Sequence, residues 1–274
     1  MTPPISEHEP FLRAIIEAPD DDAVRLVYSD WLEENGDIER ATYIRTSIQL
    51  ARAEVKNTKL VNQNRDQHAK GWKKWLAHAG IDWQQTGFRP KFQRGFIEAA
   101  HYLGSRPFFA NADRLFAIAP LQSITIDCFQ LDDASLLRLA RMPELLRLHT
   151  LNLLGHQRCS TGAWTALFRS NGMQNLKSLS LDNCNLGERE TRVLASSPML
   201  TKLQRLCLDS NDPGVAGCRA LIDSPFLQNL RFLDITECEF ANDSEWELDQ
   251  LMPDLYTRFV LGPHYENVDA EELK

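Results

Sequence analysis

Six cysteines, seven histidines and a recurring set of aspartates are the residues here that could do chemistry. A thiolate beside a histidine would be a nucleophile, and paired Cys-x-x-Cys units would hold zinc. The cysteines stand at 128, 159, 184, 207, 218 and 238, none in Cys-x-x-Cys spacing. The histidines are scattered at 8, 68, 78, 101, 149, 156 and 264. No His-Glu-x-x-His, Gly-x-Ser-x-Gly or glycine-rich phosphate loop occurs. Asp30-Trp31 invites a catalytic reading, but Asp30 has Arg25 or Arg45 as a possible ion-pair partner. Trp31 sits at helical spacing among apolar residues, where an aromatic belongs to a core. No catalytic residue, metal ligand or cofactor is therefore assigned, and the expected role is not enzymatic.

The aspartates recur because the chain around them recurs, a feature to seek before any other. The pattern Leu-x-x-Leu-x-Leu occurs at Leu148/Leu151/Leu153, Leu176/Leu179/Leu181 and Leu203/Leu206/Leu208. With isoleucine admitted it also occurs at Leu121/Ile124/Ile126 and Leu230/Leu233/Ile235, so the starts are spaced by 27, 28, 27 and 27. Each unit continues through a helix-like stretch with an inward leucine at Leu139, Leu194, Leu221 or Leu248. Pro143, Pro198 and Pro225 close three of these helices, as a residue without an N–H would. The unit from Leu148 departs: it has His156, one extra residue and Gly172-Met173 in place of proline, and a local bulge is expected. Gly95–Ala99 reads as an imperfect first strand and cap, and Thr257–Leu261 as a closing strand. Strand, turn, helix and return loop cannot bury their apolar face alone, so neighbours must stack.

These spacings resemble the leucine-rich repeat in its longer, ribonuclease-inhibitor-like form, over roughly residues 95–262. The resemblance implies an α/β solenoid, with parallel strands on the concave side and helices on the convex side. It places Asn or Cys at the ninth position of a unit, which here holds Cys184, Asn211 and Cys238, with Cys128 one residue early. Buried, reduced thiols follow, and with them a reducing compartment.

Strand side chains alternate, so the third, fifth and seventh positions of each unit face the concave side. The candidate partner-binding residues are Asp127, Asn152, Leu154, Ser180, Asp182, Arg205, Asp209, Phe232 and Asp234. They make a polar surface, acidic along one edge, suited to a protein partner with basic groups.

Residues 1–88 form a different, all-α module. Apolar spacing predicts helices over Glu9–Glu17, Asp22–Asn35, from Asp37 onward, and over Val61–Ala79. Asp20-Asp21 offers a cap and Gly36 a stop. The run Arg25–Asp37, with Ala18-Pro19-Asp20-Asp21 before it and Tyr43-Ile44-Arg45 and Phe92–Phe96 after it, resembles the bacterial repeat-companion domain. That resemblance implies an architecture, a helical partner preceding a repeat array, and no established activity. The division expected is 1–88 helical module, 89–264 repeats with caps, and 265–274 acidic tail.

Lys+Arg is 30 against Asp+Glu 38, a formal net charge of -8. This disfavours a general nucleic-acid binder, which needs a basic surface. The charges are segregated, however. Residues 52–75 hold seven basic and two acidic side chains, against eleven acidic and two basic in 1–39. The basic stretch keeps open a nucleic-acid-associated role. A third reading is an assembly factor whose N-terminal helices bind a common component. No run approaches a membrane span, and the opening residues show neither a basic start nor an apolar stretch. A cytoplasmic monomer acting as a protein-binding scaffold is the expectation.

Overall fold

The computed structural model describes residues 4–53, 58–81, 87–127, 131–155, 159–238, 240 and 245–262. Cys128, His156, Lys56 and the acidic tail 265–274 lie outside the described residues. Among the described residues are ten α-helices and eight strands, an α/β fold opened by four helices. The chain divides into two compact units, Met1–Ser123 and Ile124–Lys274.

The first unit begins with α1 (Ile5–Glu17), α2 (Asp22–Glu34), α3 (Ile38–Arg52) and α4 (Thr58–His78). Asp21 caps α2 by accepting from the Ala23 N–H (2.8 Å), and Asp37 caps α3 by accepting from Arg40 N–H (3.1 Å). Leu12, Ile15, Tyr28, Leu32, Ala41, Ile44 and Ile48 pack into one core, as the helical spacing predicts. Phe96 joins them from the hairpin of β1 (Phe88–Gln93) and β2 (Phe96–Leu103). The segment Gly95–Ala99, read as an imperfect first strand, is thus the turn and first half of an antiparallel arm. Gly95 is required there: its φ is +84°, and a Cβ would stand 2.8 Å from the Ile44 backbone. Helix α5 (Ser105–Ile118) completes the unit.

One ion-pair network ties the helices to that hairpin. Arg25 on α2 has no exposed side-chain surface, and its Nη2 donates to Glu98 Oε1 (2.8 Å) and the Pro19 carbonyl (2.5 Å). Its Nη1 donates to the Arg94 carbonyl (3.3 Å). Glu98 also accepts from Arg94 Nε and Nη2 (both 3.2 Å). Arg94 in turn reaches Asp20 (3.3 Å) and Asp22 (3.7 Å). Asp30 pairs with Arg45 (2.6 Å), which also holds Glu33 (2.6 Å).

The second unit alternates strands and helices: α6 (Asp133–Ala140), β4 (Thr150–Leu154), α7 (Thr161–Phe168), β5 (Ser178–Ser180), α8 (Glu188–Ala195), β6 (Arg205–Cys207), α9 (Gly214–Ile222), β7 (Phe232–Asp234), α10 (Glu245–Arg258) and β8 (Val260–Leu261). Strand β3 (Ser123–Asp127) opens it, at the division between the units. Strands β4 to β8 pair in chain order and in parallel, with Leu151, Leu179, Leu206, Leu233 and Leu261 as register partners. The inward leucines of the sequence pattern are buried: Leu151, Leu153, Leu179, Leu181, Leu206 and Leu208 are at most 1% exposed.

Three expectations need correcting. The prolines do not end helices directly; Pro143 and Pro198 open short 3-10 turns, Pro143–Arg147 and Pro198–Leu200, beyond them. The equivalent turn Asn171–Met173 carries Asn171, not Gly172-Met173, at the proline position, and a Cβ on the next residue, Gly172, would meet Leu145 Cβ at 2.7 Å. The last helix runs on to Arg258, so only Val260-Leu261 of the expected closing strand is extended. Its buried residues are Leu251 and Leu255, while Leu248 is half-buried.

Two outcomes test this packing by denaturant unfolding of the full chain. Leu179→Ala and Leu206→Ala should each destabilise by about 2–5 kcal/mol, as deletions of buried leucine do; losses below about 1 kcal/mol for both would contradict the register. Glu98→Ala should cost about 3–5 kcal/mol because Arg25 is left buried without its anion. Arg25→Met should cost less, since Glu98 keeps Arg94.

Candidate functional site

Side chains of the second unit bond the strand turns to one another at a near-constant offset. Asn211 Oδ1 accepts from the N–H groups of Cys184 (3.1 Å) and Leu186 (2.9 Å). Its Nδ2 donates to the carbonyls of Leu181 (2.9 Å), Leu208 (2.9 Å) and Asp209 (3.0 Å). Cys184 Sγ donates to the Leu153 carbonyl (3.0 Å) and Cys238 Sγ to that of Leu208 (3.0 Å). The ninth position therefore holds the turn backbone. A second file, absent from the sequence reading, consists of Ser170, Ser197 and Ser224. Their hydroxyls donate to the carbonyls of Ala140 (2.6 Å), Phe168 (2.5 Å) and Ala195 (2.5 Å). Each also accepts a backbone N–H of the following turn at 3.2 Å.

This framework sets the depth of the nine predicted surface residues. In the fifth-position row Asn152 is half-buried and donates to Thr125 Oγ1 (3.0 Å). Ser180 and Asp234 are buried, at 0% and 1% exposure, with Cys207 between them at 0%. Ser180 Oγ donates to Asp182 Oδ2 (2.7 Å), and Asp234 Oδ1 accepts from the Thr236 N–H (2.9 Å). This row therefore forms the floor of the strand face. In the third row Arg205 lies over the Phe232 ring at 4.2 Å, a cation–π contact on a buried ring.

The seventh row is the accessible one: Asp127, Leu154, Asp182 and Asp209 are all half-buried. The Asn183 N–H donates to the Asp209 carbonyl (2.8 Å) and the Gly155 N–H to that of Asp182 (3.2 Å), so the row stays aligned beyond the formal strands. Burial pushes the Asp209 carboxyl up from its ordinary value, the Ser210 hydroxyl opposes this, and Asp234 and Glu237 add to the rise. Three carboxylates, Asp182, Asp209 and Asp234, thus crowd one end of the face, with Arg205 beside them.

A second candidate lies wholly within the first unit. A cavity of about 130 Å³ is lined by Tyr28, Asp37, Arg40, Trp75 and Phe96, with His8, Lys74 and His78 also on its wall. Tyr28 Oη and His8 Nδ1 are hydrogen-bonded at 2.6 Å. The Arg40 guanidinium lies over Trp75 at 4.1 Å and Phe96 at 5.0 Å. Its Nη1 is sealed from solvent and donates to no described protein atom. Burial pushes this guanidinium down from its ordinary value, against the opposing effect of Tyr28, Tyr43 and Asp37. A buried donor without an acceptor costs about 1–3 kcal/mol. The sequence reading missed Arg40, yet it stands three and four residues before the inward Tyr43 and Ile44, on the same face of α3.

The aromatic readings resolve as packing. Trp31 lies against His8 (4.9 Å) and Phe11 (5.0 Å). Trp75 lies against Tyr43 (4.9 Å) as well as Arg40, and Trp72 stacks on His68 (6.1 Å). Lys59, Arg65, Lys70, Lys73 and Lys74 are exposed along α4. Among the described residues no group of three or more His, Cys, Asp or Glu is placed to hold a metal ion. No described helix is long and apolar enough to cross a membrane. Comparison with protein-family models and with curated proteins returns no match for this chain.

Cys159, Cys184, Cys207, Cys218 and Cys238 are thiols, not disulfides. Burial raises the Cys184 thiol well above its ordinary value and pushes Cys238 up to about 12. Little thiolate is then present at neutral pH, so alkylation should be slow. With iodoacetamide on the native chain, Cys184, Cys207 and Cys218 should stay unmodified in mass spectra until denaturant is added, while half-buried Cys159 and Cys238 react first. Rapid native labelling of Cys184 would contradict its placement.

Proposed function

We propose that this chain is a non-enzymatic interaction module of leucine-rich-repeat type, following a repeat-companion-like helical unit. Its strand face takes a protein partner that presents basic groups. The observation that carries this reading is the aligned, half-exposed row of Asp127, Asp182 and Asp209 above a buried floor. Like charges on neighbouring units oppose folding slightly; the Asp209 carboxyl is raised chiefly by burial, with Asp234 and Glu237 adding to it. Cationic side chains from a partner would relieve the repulsion and would be steered by the same field. Leu154 gives this face apolar contact area, and Arg205, laid over the buried Phe232 ring, adds a cation.

Changing Asp127, Asp182 and Asp209 together to Asn should leave folding intact and slow capture of the partner. Association rates of the intact and triple-substituted chains, with whatever protein each retains from native lysate, should differ most at low salt and converge as salt rises. Equal rates across the titration would reduce the acidic row to a solvated face. The five exposed cations on α4 favour one further reading, in which that helix meets nucleic acid. It requires binding whose affinity falls steeply with salt and is weakened by K70Q/K73Q.

A further inference from the structure

We propose that the cavity of the first unit is a binding site for a small, neutral aromatic molecule the size of a single ring. The proposal is independent of the strand face, because every residue lining this cavity lies between Ile5 and Ala119. Volume, wall chemistry and the engagement of the polar groups each narrow the ligand.

The cavity measures about 130 Å³, close to the roughly 150 Å³ of an apolar cavity that stays dry and accepts benzene. Protein interiors are close-packed and keep few spaces larger than a water molecule, so a space of this size is more than a packing irregularity. Ordered water would need several polar partners, and Leu12, Leu32, Leu76, Ile97 and Ile118 give the wall little but hydrocarbon.

The rings of Tyr28, Trp75, Phe92 and Phe96 line the same space. Tyr28 and Phe96 are inclined at 40°, and Trp75 and Phe92 at 61°. Rings set at such angles let a flat guest lie offset against one and edge-on to another, the two arrangements aromatic pairs prefer. An aliphatic guest of equal volume gains only its buried area.

The polar side chains of the wall are engaged elsewhere, which sets the charge of the ligand. Tyr28 Oη and His8 Nδ1 share a hydrogen bond (2.6 Å), and burial pushes the Tyr28 phenol up to about 12, so it stays neutral. Asp37 accepts from the Arg40 backbone N–H as the cap of α3. The Arg40 guanidinium is laid over Trp75 and Phe96, and its Nη1 is sealed from solvent, so that nitrogen is not a docking point for an anion. Lys74 and His78 are exposed and, with exposed Ile5, belong to the rim through which a ligand enters. A charged ligand would give up its hydration on entering such a space, a loss that hydrocarbon walls do not repay.

The test titrates the intact chain with benzene by calorimetry and follows its thermal midpoint. Saturable binding with half-saturation below about 10 mM is expected for so small a ligand, with a rise in the midpoint. Pyridine has the same shape but a nitrogen that water solvates, and should bind roughly tenfold more weakly. Benzoate should show no saturable binding over the same range. Ala79→Leu and Ala119→Val each add side-chain volume to the lining, and each should weaken benzene binding by about tenfold or more. Failure of benzene to saturate, equal binding of pyridine or benzoate, or unchanged benzene affinity in both variants would each overturn the proposal. Each variant is read only where its far-UV spectrum is native. If neither is native, the contrast of benzene with pyridine and benzoate decides the matter on the unaltered protein.

Discussion

A polypeptide carbonyl turned away from water must still find a donor, and this obligation governs both units of the chain. In the first unit the donor is a cation. Arg25 reaches the carbonyls of Pro19 and Arg94, which belong to a helix junction and a hairpin turn far apart in sequence. Glu98 then neutralises it, and Arg94 spreads the charge to the acidic residues before α2. In the second unit the donors are neutral. Asn211, the thiols of Cys184 and Cys238, and three serine hydroxyls take up carbonyls of the preceding turn. The apolar core supplies most of the stability, but these donors determine which turn sits beside which.

The two solutions differ in what they leave at the surface. Neutral donors hold the strands in register without adding charge, so the carboxylates of the seventh row are free to define the face. Cationic donors draw Asp20, Asp22 and Glu98 of the first unit into one network. The Arg40 guanidinium is the exception in that unit. It is held by ring faces and not by a carboxylate, and its sealed Nη1 meets no acceptor among the described residues.

Much of the second unit was legible in the sequence because the burial of leucine repeats with the strand. Leu179, Leu206 and Leu233 are register partners as their spacing requires. Alternation gives the direction of a side chain but not its depth. Ser180, Cys207 and Asp234 face the predicted side and are nevertheless buried, because short side chains between taller rows form the floor of the face. The helices of the first unit were legible for the same reason as the leucines, through their caps and apolar spacing. The partners of Arg25 and Arg40 were not. Each is completed by residues at long separation, Glu98 for one and Trp75 and Phe96 for the other, and no local pattern encodes such meetings.

The constant offset of the serine and asparagine bonds has a consequence for how such a chain can change in length. Ser170, Ser197 and Ser224 reach back 30, 29 and 29 residues, and Asn211 reaches back 30 to Leu181. Removing or adding one whole strand, turn and helix would bring the next serine opposite an equivalent carbonyl. A change of ten residues would set donors against the wrong groups along the entire edge. Growth of this architecture is therefore quantised: the backbone admits duplication of complete units far more readily than gradual extension, and the size of the quantum is written in hydrogen bonds.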